Sequence, residues 1–207
     1  MPDYEYVRWN EKNFDLNTMP YTQEAYAVGK FAFVSDVVRL KALKEYGGIY
    51  LDVDFEVYKP FDDLLSHSAF AGFEGSKSNP VMMGVLGSEP EGQWVSRQLD
   101  RYENRHFIVN GKMDLTTNVR FITDGMVREG FLPNGQEQDF MDLHVYPVEF
   151  FCPRLTTGEY RRTEHTYCES VGSDSSWAGS SFKDRFVGML PSGLKVFLIK
   201  TKRKLFG

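Results

Sequence analysis

Apolar and polar residues alternate over Tyr4–Trp9 (YEYVRW), a β-rich run that predicts a strand. Asn10–Pro20 breaks the pattern and predicts a loop. Thr22 is placed to cap a helix starting near Gln23, with Glu24 in its first turn. A helical period runs from about Phe33 to Tyr46, with Val37, Leu40, Ala42, Leu43 and Tyr46 on the apolar side. Gly47 stands where a left-handed C-cap belongs. Ile49–Tyr58 predicts a strand, apolar at its start and acidic at its centre; Pro60 ends it, and Phe61–Leu65 forms a short helical turn.

Further along, Ala69–Glu74 and Val81–Leu86 predict strands joined by a Gly/Ser/Asn/Pro loop. Glu91–Tyr102 and Thr116–Glu129 predict helices, the second with Asp114 or Thr116 near its cap. Val145–Phe150 and His165–Cys168 read as short strands, and Gly172–Ser181 as a polar loop broken by Trp177. The chain closes on Leu194–Phe206, LKVFLIKTKRKLF. Strands alternate with helices, which makes the class α/β. The division predicted is one domain over 1–190 followed by a basic amphipathic tail over 191–207.

At 207 residues the chain can bury a sizeable core, and its 17 Phe and 11 Tyr are first of all material for it. A net charge of −5 argues against a broad nucleic-acid surface. Cys152 and Cys168 form no CxxC pair, and so few cysteines favour a reducing compartment. No stretch approaches the roughly 20 apolar residues of a membrane span, and the polar start MPDYEYVRW is unlike a signal peptide. The expectation is a cytoplasmic protein.

The chemistry concentrates in residues 31–59. Asp52 and Asp54 lie two apart, so on a strand both would point to one side. Two carboxylates on one side repel unless a cation or water separates them. The apolar Ile49-Tyr50-Leu51 before them places the pair at the strand's carboxyl end, the edge where α/β sheets bind ligands. Oxygen ligands suit Mg²⁺ or Mn²⁺, which also bridge a diphosphate. A DxD by itself is a weak signal, read first as a solvated surface strand; its context here raises it. Asp36 and Arg39 share one helix face, either as a surface ion pair of little consequence or as a carboxylate and guanidinium for a sugar nucleotide.

With these residues in place, SDVVRLKALKEYGGIYLDVDFEVYKPFDDLL resembles glycosyltransferase family 32, the DxD-containing sugar transferases. That family includes bacterial capsule and lipopolysaccharide transferases and yeast-type initiating mannosyltransferases, and is related to the clostridial glucosylating toxins. The runs YENRHFIVNGKMDLTTNV and VYPVEFFCPRLTTGEY are also similar to its bacterial members. The resemblance implies a GT-A-like fold, a mixed sheet flanked by helices. It also implies a UDP- or GDP-hexose donor, a divalent metal, a glycan or lipid-linked glycan acceptor and retention of anomeric configuration. By position, Asp36 and Arg39 would meet the donor's sugar and ribose, Asp52 the ribose and metal-bound water, and Asp54 the metal. Tyr50 would line the pocket, and Ser176-Trp177 match the family's closing loop, whose Trp reaches the donor phosphates.

Two departures from the family pattern shape the expectations. The apolar opening strand that helps hold the base is not found ahead of Tyr4, so the chain is expected to lack it and to leave a strand edge exposed. The His pair before Ser-Trp is replaced by TYCESVGSDSSW, leaving Asp174, Glu169 or Ser175 as the third metal ligand. His67, His106, His144 and His165 have no metal-ligand spacing, and Asn118 is placed either to reach the acceptor or to start a helix. The basic cluster Lys200–Lys204 reads as a solvated helix end or as a contact with an anionic inner membrane surface. Two other readings stay open. One is a haloacid-dehalogenase-type phosphohydrolase, with Asp52 as nucleophile and Asp54 as acid. The other is a non-catalytic sugar-nucleotide-binding module.

Overall fold

The computed structural model describes residues 4–171 and 196–201. Its centre is a mixed seven-stranded sheet. Strand β1 (Tyr4–Trp9) forms as the alternation predicts. A 3-10 turn at Leu16–Thr18 leads into α1 (Pro20–Ala27), which begins at Pro20 rather than near Gln23. Proline suits the first helical position because its missing N–H would be unpaired there anyway. Thr22 is therefore not the cap; its hydroxyl donates to the carbonyls of Leu16 and Met19.

Helix α2 (Phe31–Tyr46) buries Val34, Val37, Val38, Leu40, Ala42 and Leu43 without exposure and ends at Gly47. Gly47 has φ 61°, and a Cβ there would stand 2.8 Å from the Pro90 nitrogen, so both backbone and packing require glycine. Strand β2 (Gly48–Leu51) follows at once. The predicted long strand does not continue through the acidic pair. Asp52–Asp54 turn out of the sheet, and Phe55–Val57 form β3, which pairs with β10 (Cys168–Ser170) in a separate two-stranded ribbon.

The main sheet continues with β4 (Ala69–Gly72), β5 (Val85–Ser88), β8 (Gln138–Phe140), β9 (Leu143–Tyr146) and β11 (Val196–Thr201), in the order β1-β11-β2-β5-β4-β9-β8. Only β4 and β9 are parallel neighbours among its described pairs. Residues 196–201, expected to belong to a tail apart from the domain, instead pair antiparallel with β1 on one side and β2 on the other.

Alternate residues feed opposite faces, as a pleated strand requires. Tyr50 and Leu86 join the core under α2, α3 (Gln93–Asp100) and α4 (Asn118–Arg128). Ile49, Phe70 and Val85 join a second core with Phe61, Tyr146, Phe151 and Tyr167. Between α3 and α4 lies a hairpin that the sequence pattern did not reveal, β6 (Ile108–Val109) and β7 (Lys112–Met113). Helix α4 is capped by Thr117, whose side chain accepts from the Arg120 N–H, rather than by Asp114 or Thr116.

Candidate functional site

Helix α2 presents Asp36 and Arg39 one turn apart toward the carboxyl end of β2, and both are buried. The Arg39 guanidinium is fully engaged. Nη2 donates to Asp36 Oδ1 at 3.0 Å and to Ser35 Oγ at 3.3 Å, and Nη1 to the Met83 carbonyl. Nη1 also stands 3.6 Å from Asp52 Oδ1, and the guanidinium carbon lies 4.5 Å from the centre of the Tyr50 ring. Tyr50 Oη donates to the same Asp52 oxygen. Arg39 and Tyr50 thus tie the helix to the first carboxylate of the acidic pair. This is a buried, multiply bonded cation, not the weak surface pair that the i, i+3 spacing also allowed.

Burial pushes the Asp36 carboxyl up to about 7, with Arg39 pulling it back, Asp52 adding to the rise and Arg105 opposing it. Burial also works against the charge of Arg39, but Tyr50, Asp52 and Asp36 around it outweigh that and hold it above its ordinary value. Burial likewise drives the Tyr50 phenol far up, so it stays a neutral donor. Behind Asp36, Arg105 lies over the rings of Phe121 (3.6 Å), Tyr21 (4.7 Å) and Tyr102 (5.3 Å) and pairs with Asp114 at 2.8 Å. Tyr21 Oη, Tyr102 Oη and Arg105 Nη1 are buried there without a hydrogen-bond partner among the described residues. Asn118 is buried as the first residue of α4, the helix-start place that the sequence also allowed.

The turn carrying the acidic pair is fixed by its backbone. Asp52 N–H donates to the Gly84 carbonyl, Phe55 N–H to the Asp52 carbonyl, and Val171 N–H to the Asp54 carbonyl. Asp52 keeps 37% of its side chain exposed. Asp54 Oδ2 accepts from Ser170 Oγ at 3.4 Å. Ser170 was not expected at the site; only the β3–β10 register brings it there. Glu169, one of the ligands considered from sequence, is held instead by Tyr58, whose phenol donates to its Oε1. Asp174, Ser175, Ser176 and Trp177 lie outside the described residues.

The donor set fits a hard divalent cation. Asp52 and Asp54 bring carboxylates into one turn, with a hydroxyl beside the second. Mg²⁺-type sites are commonly built from one or two carboxylates completed by water and substrate phosphates. No cluster of three or more His, Cys, Asp or Glu suited to a metal occurs among the described residues. The four histidines are used otherwise: His67 stacks on His144 at 4.0 Å, and His106 and His165 stand beside Glu24 and Glu164.

Residues 1–71 match the model of the glycosyltransferase sugar-binding region containing a DXD motif, which covers β1, α2 and the acidic turn. Over these residues the chain is similar to the DXD glycosyltransferases. It is 40% identical over 81 residues to glucan organizing enzyme 1 of Cryptococcus neoformans, covering 35% of this chain and 22% of that protein. It is 35% identical over 113 residues to inositol phosphoceramide mannosyltransferase 3 of Schizosaccharomyces pombe, covering 51% of this chain and 32% of that one. A mannosyl phosphorylinositol ceramide synthase of Saccharomyces cerevisiae is 28% identical over 116 residues, covering 52% and 29%. The chain thus spans about a quarter to a third of the length of these curated relatives. No solved structure matches. The mixed sheet flanked by helices agrees with the GT-A-like fold of a DXD glycosyltransferase. Nothing in these similarities favours the phosphohydrolase reading.

Proposed function

We propose that this chain transfers a hexose from a nucleotide-diphosphate sugar to a hydroxyl of a lipid-linked or glycan acceptor, with a divalent metal. The observation that carries the reading is the linkage of Asp36, Arg39, Tyr50 and Asp52 into one buried network that ends at the Asp52–Asp54 turn. Mannose is the sugar favoured by the printed names of two of the three relatives above, and inositol phosphoceramide the acceptor type. Capsule or lipopolysaccharide assembly, expected from the sequence, is a second setting for the same transfer.

Asp52 and Asp54 are the residues that would hold Mn²⁺ or Mg²⁺. When bound there, the ion would supply charge neutralisation for the leaving diphosphate. Asp36 accepts hydrogen bonds from donor hydroxyls once ionised, and Arg39 fixes the orientation of both Asp36 and Asp52. Tyr50 holds Asp52 by its phenol. Asp36, Asp52 and Asp54 all carry binding duties in this reading, so none is assigned as a nucleophile. Attack from the leaving-group side, with retention, is the mechanism proposed.

The test is turnover of GDP-mannose and UDP-hexoses by the wild type and by Asp54→Ala. The variant should lose transfer by at least about 100-fold, the scale of removing a main electrostatic stabiliser. Full activity in Asp54→Ala would refute the assignment. Metal-dependent donor binding without any turnover in the wild type would instead favour the non-catalytic reading.

A further inference from the structure

Glu74, just past the carboxyl end of β4, is a partly buried acid with nothing to hold its charge. Its carboxylate has no hydrogen bond or ion pair among the described residues. Lys77, three residues on, is exposed and does not pair with it. Burial alone moves the Glu74 carboxyl, and moves it upward. A charge taken out of water without a partner costs stability, so folded proteins seldom keep one that has no task.

The sheet carries Glu74 to the same edge as the acidic turn. Strands β2 and β4 both run antiparallel to β5, so they are parallel to each other and end together. Gly48 and Ala69 both pair with Ser88; Asp52 follows four residues later on one strand and Glu74 five later on the other. Two strand spacings, roughly 10 Å, separate them. The segment 80–84 ties the two together: the Pro80 carbonyl accepts from Glu74 N–H and the Gly84 carbonyl from Asp52 N–H, both at 2.8 Å, and the Met83 carbonyl accepts from Arg39. Ala71 and Phe73 enter the core under the helices and Phe70 the second core, so alternation turns Glu74 to the second core's side. Cys152 packs on that side; burial raises its thiol, the Gly75 backbone opposes, and the charges of Glu74 and Glu169 add to the rise. Phe55, directly after the acidic turn, and Cys168 of β10 lie there too, and Ser170 of β10 meets Asp54. The position is held firmly. Thr156 donates to the Gly75 carbonyl through its N–H at 2.7 Å and its hydroxyl at 3.1 Å.

We propose that Glu74 binds the acceptor, its carboxylate taking a hydrogen bond from a ring hydroxyl of the sugar or inositol that receives the hexose. A carboxylate without a protein partner accepts strongly from ligand hydroxyls. The carboxyl ends of the strands are the ligand-binding edge of an α/β sheet, and a desolvated acid there marks a functional group. The inference rests on the transferase reading above and names an acceptor contact for it.

Transfer kinetics with Mn²⁺ and whichever of GDP-mannose and the UDP-hexoses the wild type binds test it, with methyl α-mannoside and micellar inositol phosphoceramide as acceptors. Glu74→Gln should lower kcat/KM for the acceptor at least about ten-fold and Glu74→Ala about 100-fold, the range for losing a hydrogen bond to a charged group. A loss confined to one acceptor supports the inference and identifies the source of the ring. Calorimetric binding of the sugar nucleotide should be unchanged in both variants. The urea midpoint of Glu74→Gln should be unchanged or higher, since the substitution removes an unpaired, partly buried charge. A merely structural role would instead lower the midpoint and donor binding together, and that result would overturn the inference. Acceptor kinetics equal to the wild type in both variants would overturn it as well, leaving the transferase reading intact. A wild type that binds no sugar nucleotide would overturn the transferase reading itself, and the acceptor role with it.

Discussion

Replacing Arg39 by methionine strands Asp36, and the cost should depend on pH in a direction that the structure fixes. The two side chains are 7% and 10% exposed and meet at 3.0 Å. Removing one partner of a buried ion pair typically costs about 3–5 kcal/mol, because the remaining charge is left uncompensated. Burial raises the Asp36 carboxyl from 3.8 to about 7 even with Arg39 present. An acid whose folded value is raised contributes stability that is fully present below its unfolded value and is lost as pH rises through the folded one. The metal-free wild type should therefore lose stability between about pH 4 and pH 7 at up to ~1.4 kcal/mol per unit, then level off once Asp36 is ionised against Arg39. In Arg39→Met the carboxyl rises further, so the loss continues above 7. The gap between variant and wild type should be about 2 kcal/mol wider at pH ~8.5 than at pH ~5.5. Urea unfolding with chelator, followed by tryptophan fluorescence at both pH values, measures it; Trp94 is fully buried. A gap that is equal at the two pH values, or a total cost under about 1 kcal/mol, would refute the account of the pair.

Two glycines separate site effects from fold effects. A Cβ on Gly84 would come within 3.0 Å of Asp52 Oδ2 and 2.9 Å of the Phe55 ring, so Gly84→Ala should weaken Mn²⁺ binding in calorimetry several-fold while costing only about 1–3 kcal/mol of stability. A Cβ on Gly87 would fall 2.0 Å from the Phe70 ring inside the second core. Gly87→Ala should therefore lower the urea midpoint by the equivalent of about 3 kcal/mol or more and show its loss of metal binding only through unfolding.

What was legible in the sequence follows from how local each signal is. Helix α2 shows itself through its apolar period and its Gly47-Gly48 stop, and with it come Asp36 and Arg39. The acidic pair was located, but not its conformation. Aspartates favour turns as readily as strand ends, and the departure of β3 from the sheet is fixed by remote groups, the Gly84 carbonyl and the Val171 N–H. Ser170 reaches Asp54 only through the β3–β10 register, which no local pattern encodes. The β6–β7 hairpin carried a readable Asn-Gly turn, but its two-residue strands are too short for an alternation to stand out. Strand β11 opens on the continuous apolar run Val196–Ile199, which offers no alternation to read, so its place between β1 and β2 depends on a long-range closure.

The most direct test of the central claim is calorimetric titration of GDP-mannose and UDP-hexoses into the protein, with Mn²⁺ and with chelator, for the wild type and Asp54→Ala. The account predicts binding that needs the metal and disappears in the variant, since Asp54 and Asp52 are the carboxylates offered at the turn. Binding that persists in chelator or in Asp54→Ala, or no binding of any sugar nucleotide by the wild type, would contradict it.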